Sequence, residues 1–149
     1  MARGVAPADV DVTIYEGLEA LPHFNPDRDD EHPPASVTEF RGLVAAADGI
    51  LIATPEYAHG APGALKDAFD WLVGTGELYG KAVVIVNAAA IEDRGVNGRG
   101  ELERTLRAQG ARILTSAPVL VPPRADPRDV PSVRADMAAH LRLFRSGGA

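Results

Sequence analysis

The chain has 149 residues, 46% of them hydrophobic, and a formal net charge of −6, which fits one domain with one ordinary core and makes gross disorder improbable. It has no cysteine, so a disulfide scaffold, a thiolate metal site and a cysteine nucleophile are excluded. An acidic chain without a Lys/Arg cluster is no nucleic-acid binder, no apolar stretch approaches the roughly 18 residues of a membrane span, and the start, MARGVAPADV, lacks the apolar core of a signal peptide, so the expected setting is the cytoplasm.

Asp9 to Tyr15 alternates, with Val10, Val12 and Ile14 on one side, which predicts a strand with one wet face near a sheet edge. Leu21 to Pro34, rich in Pro, Asp and His, reads as an irregular loop. Ser36-Val37-Thr38-Glu39 has the form of a capping box. Phe40, Val44 and Ala47 follow at helical spacing, so a helix is expected to about Ala47.

Ile50 to Thr54 is a short apolar run without alternation, the pattern of a strand covered on both faces. Pro62 suits the first turn of a helix whose apolar stripe is Leu65, Ala68, Phe69 and Leu72, with Gly74 as its stop. Lys81 to Val86 predicts a second buried strand, ending at Asn87. Arg94 to Gly100 reads as a Gly-rich loop leading to a helix from about Gly100 to Gln109, capped by Gly110. Arg112 to Val121 predicts a further strand, and Val133, Met137, Leu141 and Phe144 line a last helix.

Strands alternating with helices imply crossover units, a parallel sheet and helices on both faces. In such sheets ligands bind beyond the carboxyl ends of the strands, near helix N-termini. ATPEYAHGAPGALKDAFDW, residues 53 to 71, lies at such an end. Backbone amides in the stretch from Glu56 to Gly63 are expected to face a ligand, helped by the helix dipole, with Gly60 and Gly63 permitting close approach.

At these residues the chain resembles the NADPH-dependent FMN reductases of flavodoxin-like fold. Thr54-Pro55-Glu56-Tyr57, Pro62-Gly63-Ala64-Leu65-Lys66-Asp67 and Asp70-Trp71 fit that family's signature in order and spacing. VTIYEGLEALPHFNPD looks like its second strand and following loop, and KAVVIVNAAA like its fourth strand and flavin-side loop. The resemblance implies a flavodoxin-like three-layer α/β/α sandwich with a parallel sheet, as one domain over residues 1–149. Two features depart from the pattern. The family opens with a strand and a Gly-Ser loop that holds the FMN phosphate. This sequence has no Gly-Ser dipeptide, and Met1 to Ala8 aligns with the tail of the first helix. A missing first strand and phosphate loop are therefore expected, through a start codon assigned too late or a shortened chain, or in a natural relative that has lost tight FMN binding. In addition, Asn87-Ala88-Ala89-Ala90 stands where the family shows Ser/Thr and a Gly pair.

The resemblance also implies FMN as cofactor, NAD(P)H as hydride donor, and a quinone, azo dye, metal ion or free flavin as small-molecule acceptor. No side-chain base is needed, because the cofactor carries the chemistry. The backbone around Thr54, Pro55, Glu56, Tyr57 and Ala58 would contact the flavin ring, with Asn87, Ala88 and Ala89 flanking it from the neighbouring strand end. Plainer readings stand beside these: Glu56 as a carboxylate capping the following helix, Tyr57 as core packing, His59 as an ordinary loop histidine, and Lys66 with Asp70 as a surface pair. Trp71 is a core or interface anchor, and the helix from Pro62 to Leu72 is the candidate face of a homodimer or homotetramer, because Phe69 and Trp71 lend it aromatic surface. GTGELYGK has the wrong spacing for a phosphate loop, and GVNGRG is no dinucleotide fingerprint, though a mobile Gly-rich loop there would gate the nicotinamide entrance. Two other classes remain: a degenerate flavodoxin-like module that binds a partner, and an electron carrier, which would not turn over NAD(P)H.

Overall fold

The computed structural model describes residues 1–30 and 32–146. Three strands, β1 (Gly49–Ala53), β2 (Ala82–Ala89) and β3 (Arg112–Leu120), form a sheet in the order β1-β2-β3, parallel throughout. Among the described residues, four α-helices accompany them: α1 (Ala35–Ala46), α2 (Gly63–Asp70), α3 (Val96–Ala108) and α4 (Pro131–Ser146). The central strand β2 is aliphatic on both faces because both are covered, as parallel sheets require. Val83 and Ile85 enter one core with Phe40 and Val44 of α1, Ala68 and Phe69 of α2, and Leu102 and Leu106 of α3. Val84 and Val86 enter the other, with Val133, Met137 and Leu141 of α4. The expected three-layer sandwich is therefore present. Among the described residues, no helix is long and apolar enough to cross a membrane.

Four local expectations are corrected. Asp9 to Tyr15 forms no strand. A strand needs a neighbour to share its ladder, and here the Val12 carbonyl accepts from Arg3 Nε while Val10 N–H bonds Pro7 O. The segment instead passes between faces, with Val12 packed on the second core and Tyr15 on the first, where its ring meets Phe40 at 5.0 Å. Ser36 caps nothing: α1 begins at Ala35, and the Pro34 carbonyl accepts from Val37 and Thr38 N–H, so the box falls inside the first turn. Helix α2 stops at Asp70, before Gly74, and continues as turns through Gly76, whose φ of +78° suits glycine. Helix α3 starts at Val96, so the expected Gly-rich loop is largely its first turn and a half; Gly110, at φ +78°, does terminate it.

Phe69 and Trp71 are 3% and 0% exposed. Both belong to this chain's own core, so the aromatic surface that made α2 a candidate subunit face is not on offer. Lys66 and Asp70 do pair, at 2.6 Å.

The irregular stretch before α1 is fastened to α2. Asp67 accepts from Phe24 N–H at 3.1 Å, and its other oxygen lies beside His23 Nδ1. Burial pushes the Asp67 carboxyl up, but the hydrogen bonds from His23 and Phe24 outweigh it and hold the group below its ordinary value. A depressed folded-state value contributes stability above the unfolded-state value, and that stability is lost as pH falls through the folded-state value. Asp67→Asn is therefore expected to be less stable than wild type near neutrality, the gap closing on acidification below the ordinary aspartate range. Urea unfolding at stepped pH checks this, and a gap that stays constant would contradict it.

Candidate functional site

The carboxyl ends of β1 and β2 lie side by side, with Ala53 opposite Val86 and Thr54 N–H bonded to Val86 O at 2.9 Å. Thr54 is 5% exposed and its hydroxyl donates to Pro55 O, so it closes the strand. The chain then makes a tight turn. Tyr57 and Gly60 exchange two backbone hydrogen bonds of 3.0 and 2.9 Å. The residues between them, Ala58 and His59, have φ of +48° and +63°. Two adjacent left-handed residues give the geometry of a primed turn, which neither alanine nor histidine favours; non-glycine residues there cost about 1–2 kcal/mol each. Strain of this kind collects at functional sites.

The turn decides which amides remain available. Of the expected stretch, Tyr57 and Gly60 N–H are taken by the turn, and Ala61 N–H donates to Glu101 Oε2 at 2.7 Å. Among the described residues the amides of Glu56, Ala58 and His59, and that of Gly63 at the start of α2, have no protein acceptor. The free amides are thus fewer than the whole run from Glu56 to Gly63. Tyr57 is 66% exposed, so it does not pack in the core. Pro55 and Ala58 are also exposed.

Helix α3 meets this loop with its N-terminus. Glu56 Oε2 accepts from Gly98 N–H at 2.7 Å, so the carboxylate does cap a helix, though α3 rather than the α2 that follows it in sequence. Gly98 lets the two elements approach closely: a Cβ there would lie 3.1 Å from Gly60 O and 3.3 Å from Glu56 Cβ, tight contacts that the loop would have to yield to. His59 sits at the rim, with Nδ1 3.3 Å from Asn97 Nδ2 and 3.7 Å from Glu56 Oε1.

The second loop is fastened from beneath. Asn87 is 4% exposed; its Nδ2 donates to Arg94 O at 3.1 Å and its Oδ1 accepts from Arg99 Nη1. Ala89 is buried and Ala88 exposed. The structure therefore gathers the eight predicted residues at two adjacent strand ends. Pro55, Tyr57 and Ala58 on the loop after β1 and Ala88 near the end of β2 reach the surface, Glu56 is part-buried, and Thr54, Asn87 and Ala89 lie below; the strand expected to end at Asn87 runs on to Ala89, so most of the expected second loop is strand. Sequence reasoning did not find Gly98, Arg99 or Glu101, which join these loops from about 40 residues away or less; the glycines at 95 and 98 were the only local signal. A hollow of about 440 Å³ lined by Arg3, Ala6, Val10, Asp11, Val12 and Thr13 shares no residue with the site.

These features suit one edge of a planar heterocycle: unpaired N–H donors, an exposed aromatic ring and a helix N-terminus. They offer no Gly-Ser phosphate loop.

A parallel α/β/α sheet with irregular turns at its carboxyl strand ends defines a flavodoxin-like protein. The fold superposes on the flavoenzyme NAD(P)H:(acceptor) oxidoreductase FerB from Paracoccus denitrificans with a TM-score of 0.75 at 20% identity, over 99% of this chain and 87% of that one. The chain belongs to the NADPH-dependent FMN reductase family, whose model matches residues 1–125. It is 33% identical over 129 residues to the NADH-dependent flavin reductase subunit 2 of Lactobacillus johnsonii, covering 80% of this chain and 66% of the relative. It is 34% identical over 106 residues to the quinone reductase of Escherichia coli K12, covering 69% and 54% respectively. The chain thus spans between about half and two thirds of the length of these curated relatives.

Proposed function

We propose that the chain binds FMN at the ends of β1 and β2 and acts as an NAD(P)H-dependent FMN or quinone reductase. The observation that carries this reading is the strained Ala58–His59 turn, next to main-chain donors without protein acceptors. Family membership and the names of the relatives support it. The chemistry FMN supplies is acceptance of a hydride from NAD(P)H and release of electrons to a small acceptor such as a quinone, an azo dye, a metal ion or free flavin.

In this reading the main chain of Pro55, Glu56, Tyr57 and Ala58 holds the ring edge, the Tyr57 side chain adds an aromatic contact, and Ala88 flanks the ring from the end of the neighbouring strand. Thr54, Asn87 and Ala89 hold those loops in place from below. Preorganised amides act without reorganising during the reaction, which is how a protein supports charge developing on a bound group. The enzyme works in the cytoplasm as a homodimer or homotetramer, and the exposed Val73 and Tyr79 beyond α2 are apolar surface that such an assembly would cover.

Purified protein titrated with FMN should quench flavin fluorescence and then show FMN-dependent oxidation of NADH or NADPH in the presence of a quinone. Protein that neither binds FMN nor supports that oxidation would defeat the reading.

A further inference from the structure

Arg99 is 6% exposed, yet among the described residues no carboxylate lies within ion-pair distance of it. Its Nη1 donates to two neutral oxygens, Asn87 Oδ1 and Arg94 O, the latter at 3.3 Å. Its Nε and Nη2 have no protein acceptor among the described residues, and neither is sealed from solvent. Most of this side chain leaves water without a counter-charge, a cost that two neutral hydrogen bonds offset only in part. The position adds a second penalty. Arg99 lies in the first turn or so of α3, where the helix dipole is positive and disfavours a cation. Glu56, the carboxylate at this helix end, is bonded to Gly98 N–H, and Glu101 is bonded to Ala61 N–H.

A charge without a carboxylate partner at a helix N-terminus is not explained by loop fastening alone, because a neutral donor at position 99 could also reach Asn87. The location supplies a better reason. Asn87 lies near the end of β2, where its side chain ties down the β2–α3 turn through Arg94 O, and Arg99 supports it from below. A low local dielectric lets a buried charge act over a longer distance than one in water, and charge near a cofactor's ring is one of the means by which a protein sets its electronics.

We propose that Arg99 tunes the flavin of this site: its guanidinium, lacking a carboxylate partner, favours the electron-rich reduced form over the oxidised form and so raises the reduction potential. This rests on the FMN reading above. Arg99 needs no contact with substrate and transfers no proton; the bound group gains electron density, and the fixed positive charge beneath the β2–α3 turn stabilises that gain.

The test is the midpoint potential of the FMN-loaded protein, with FMN affinity measured alongside. Arg99→Gln keeps a donor for Asn87 and removes the charge. It should lower the preference for reduced over oxidised FMN about tenfold, a fall of about 30 mV for a two-electron couple. Arg99→Lys keeps the charge and should stay within about 10 mV of wild type, a little over twofold by the same conversion. If Arg99→Gln does not fold, Asn87→Asp provides the second arm: it preserves the volume, gives the guanidinium a carboxylate and should produce a similar fall. A folded, FMN-binding Arg99→Gln or Asn87→Asp protein with the wild-type potential would overturn the inference and leave Arg99 a fastener. Wild-type protein that binds no FMN would instead defeat the site reading itself, and this inference with it.

Discussion

Replacing Trp71 with alanine is expected to destabilise the protein by about 3–5 kcal/mol, the range for emptying a buried aromatic site. Trp71 is fully buried, and two separate segments, the 22–24 loop and α1, converge on it. Its ring meets Phe24 edge-on at 5.1 Å. Its Nε1 donates to Pro22 O at 2.8 Å, and its carbonyl accepts from Arg41 Nε at 2.9 Å. The loss would therefore combine a cavity with the release of the 21–30 loop from α2. Trp71→Phe keeps most of the volume and removes the donor, so a net loss nearer about 1 kcal/mol is expected for the missing hydrogen bond. Chemical denaturation of the three proteins checks both figures. Equal losses for the two variants would show that the hydrogen bond, and not the packing, anchors the loop.

The second large effect is expected at Gly95. Its φ is +83°, and a Cβ there would come within 2.7 Å of Asn87 Cγ. Gly95→Ala therefore carries about 1–2 kcal/mol for a left-handed alanine and about 1–3 kcal/mol for overpacking against a buried side chain. Because Asn87 fastens the second ligand loop, FMN binding should weaken together with stability. Gly42 in α1 provides the contrast, since nothing lies within 4 Å of a Cβ built there; Gly42→Ala should gain up to about 1 kcal/mol of helix propensity and leave FMN binding unchanged. Thermal unfolding with FMN titration separates the cases. Gly95→Ala protein with unaltered FMN affinity would show that Asn87 does not govern the site.

What the sequence revealed and what it hid divide along physical lines. Strand β2 was legible because burial on both faces needs an unbroken aliphatic run, and Val83 to Val86 supplies one. The end of α3 was legible because Gly110 is a local requirement of the chain. The start of α3 was not: glycines at 95, 98 and 100 read as a loop, and the carboxylate that caps this helix is Glu56, 42 residues earlier. The alternation at Val10, Val12 and Ile14 was a true periodicity without a ladder, since a strand depends on a neighbour and not only on its own residues. Trp71 was rightly placed as an anchor, but its use as evidence for a subunit face failed because the 22–24 loop covers it. For the site, Thr54 to Ala58 could be located from the signature, whereas the choice of free amides within it depends on the Tyr57–Gly60 turn and on Glu101, and neither could be read from spacing.

The central claim is that the unpaired main-chain donors at the end of β1 receive the flavin ring. Amide-resolved NMR of isotope-labelled protein titrated with FMN addresses it directly. The amides of Glu56, Ala58 and His59 should move most, while those of Gly60 and Ala61, already bonded within the protein, respond less. FMN binding that leaves those three amides unmoved, with the shifts concentrated elsewhere, would contradict the account.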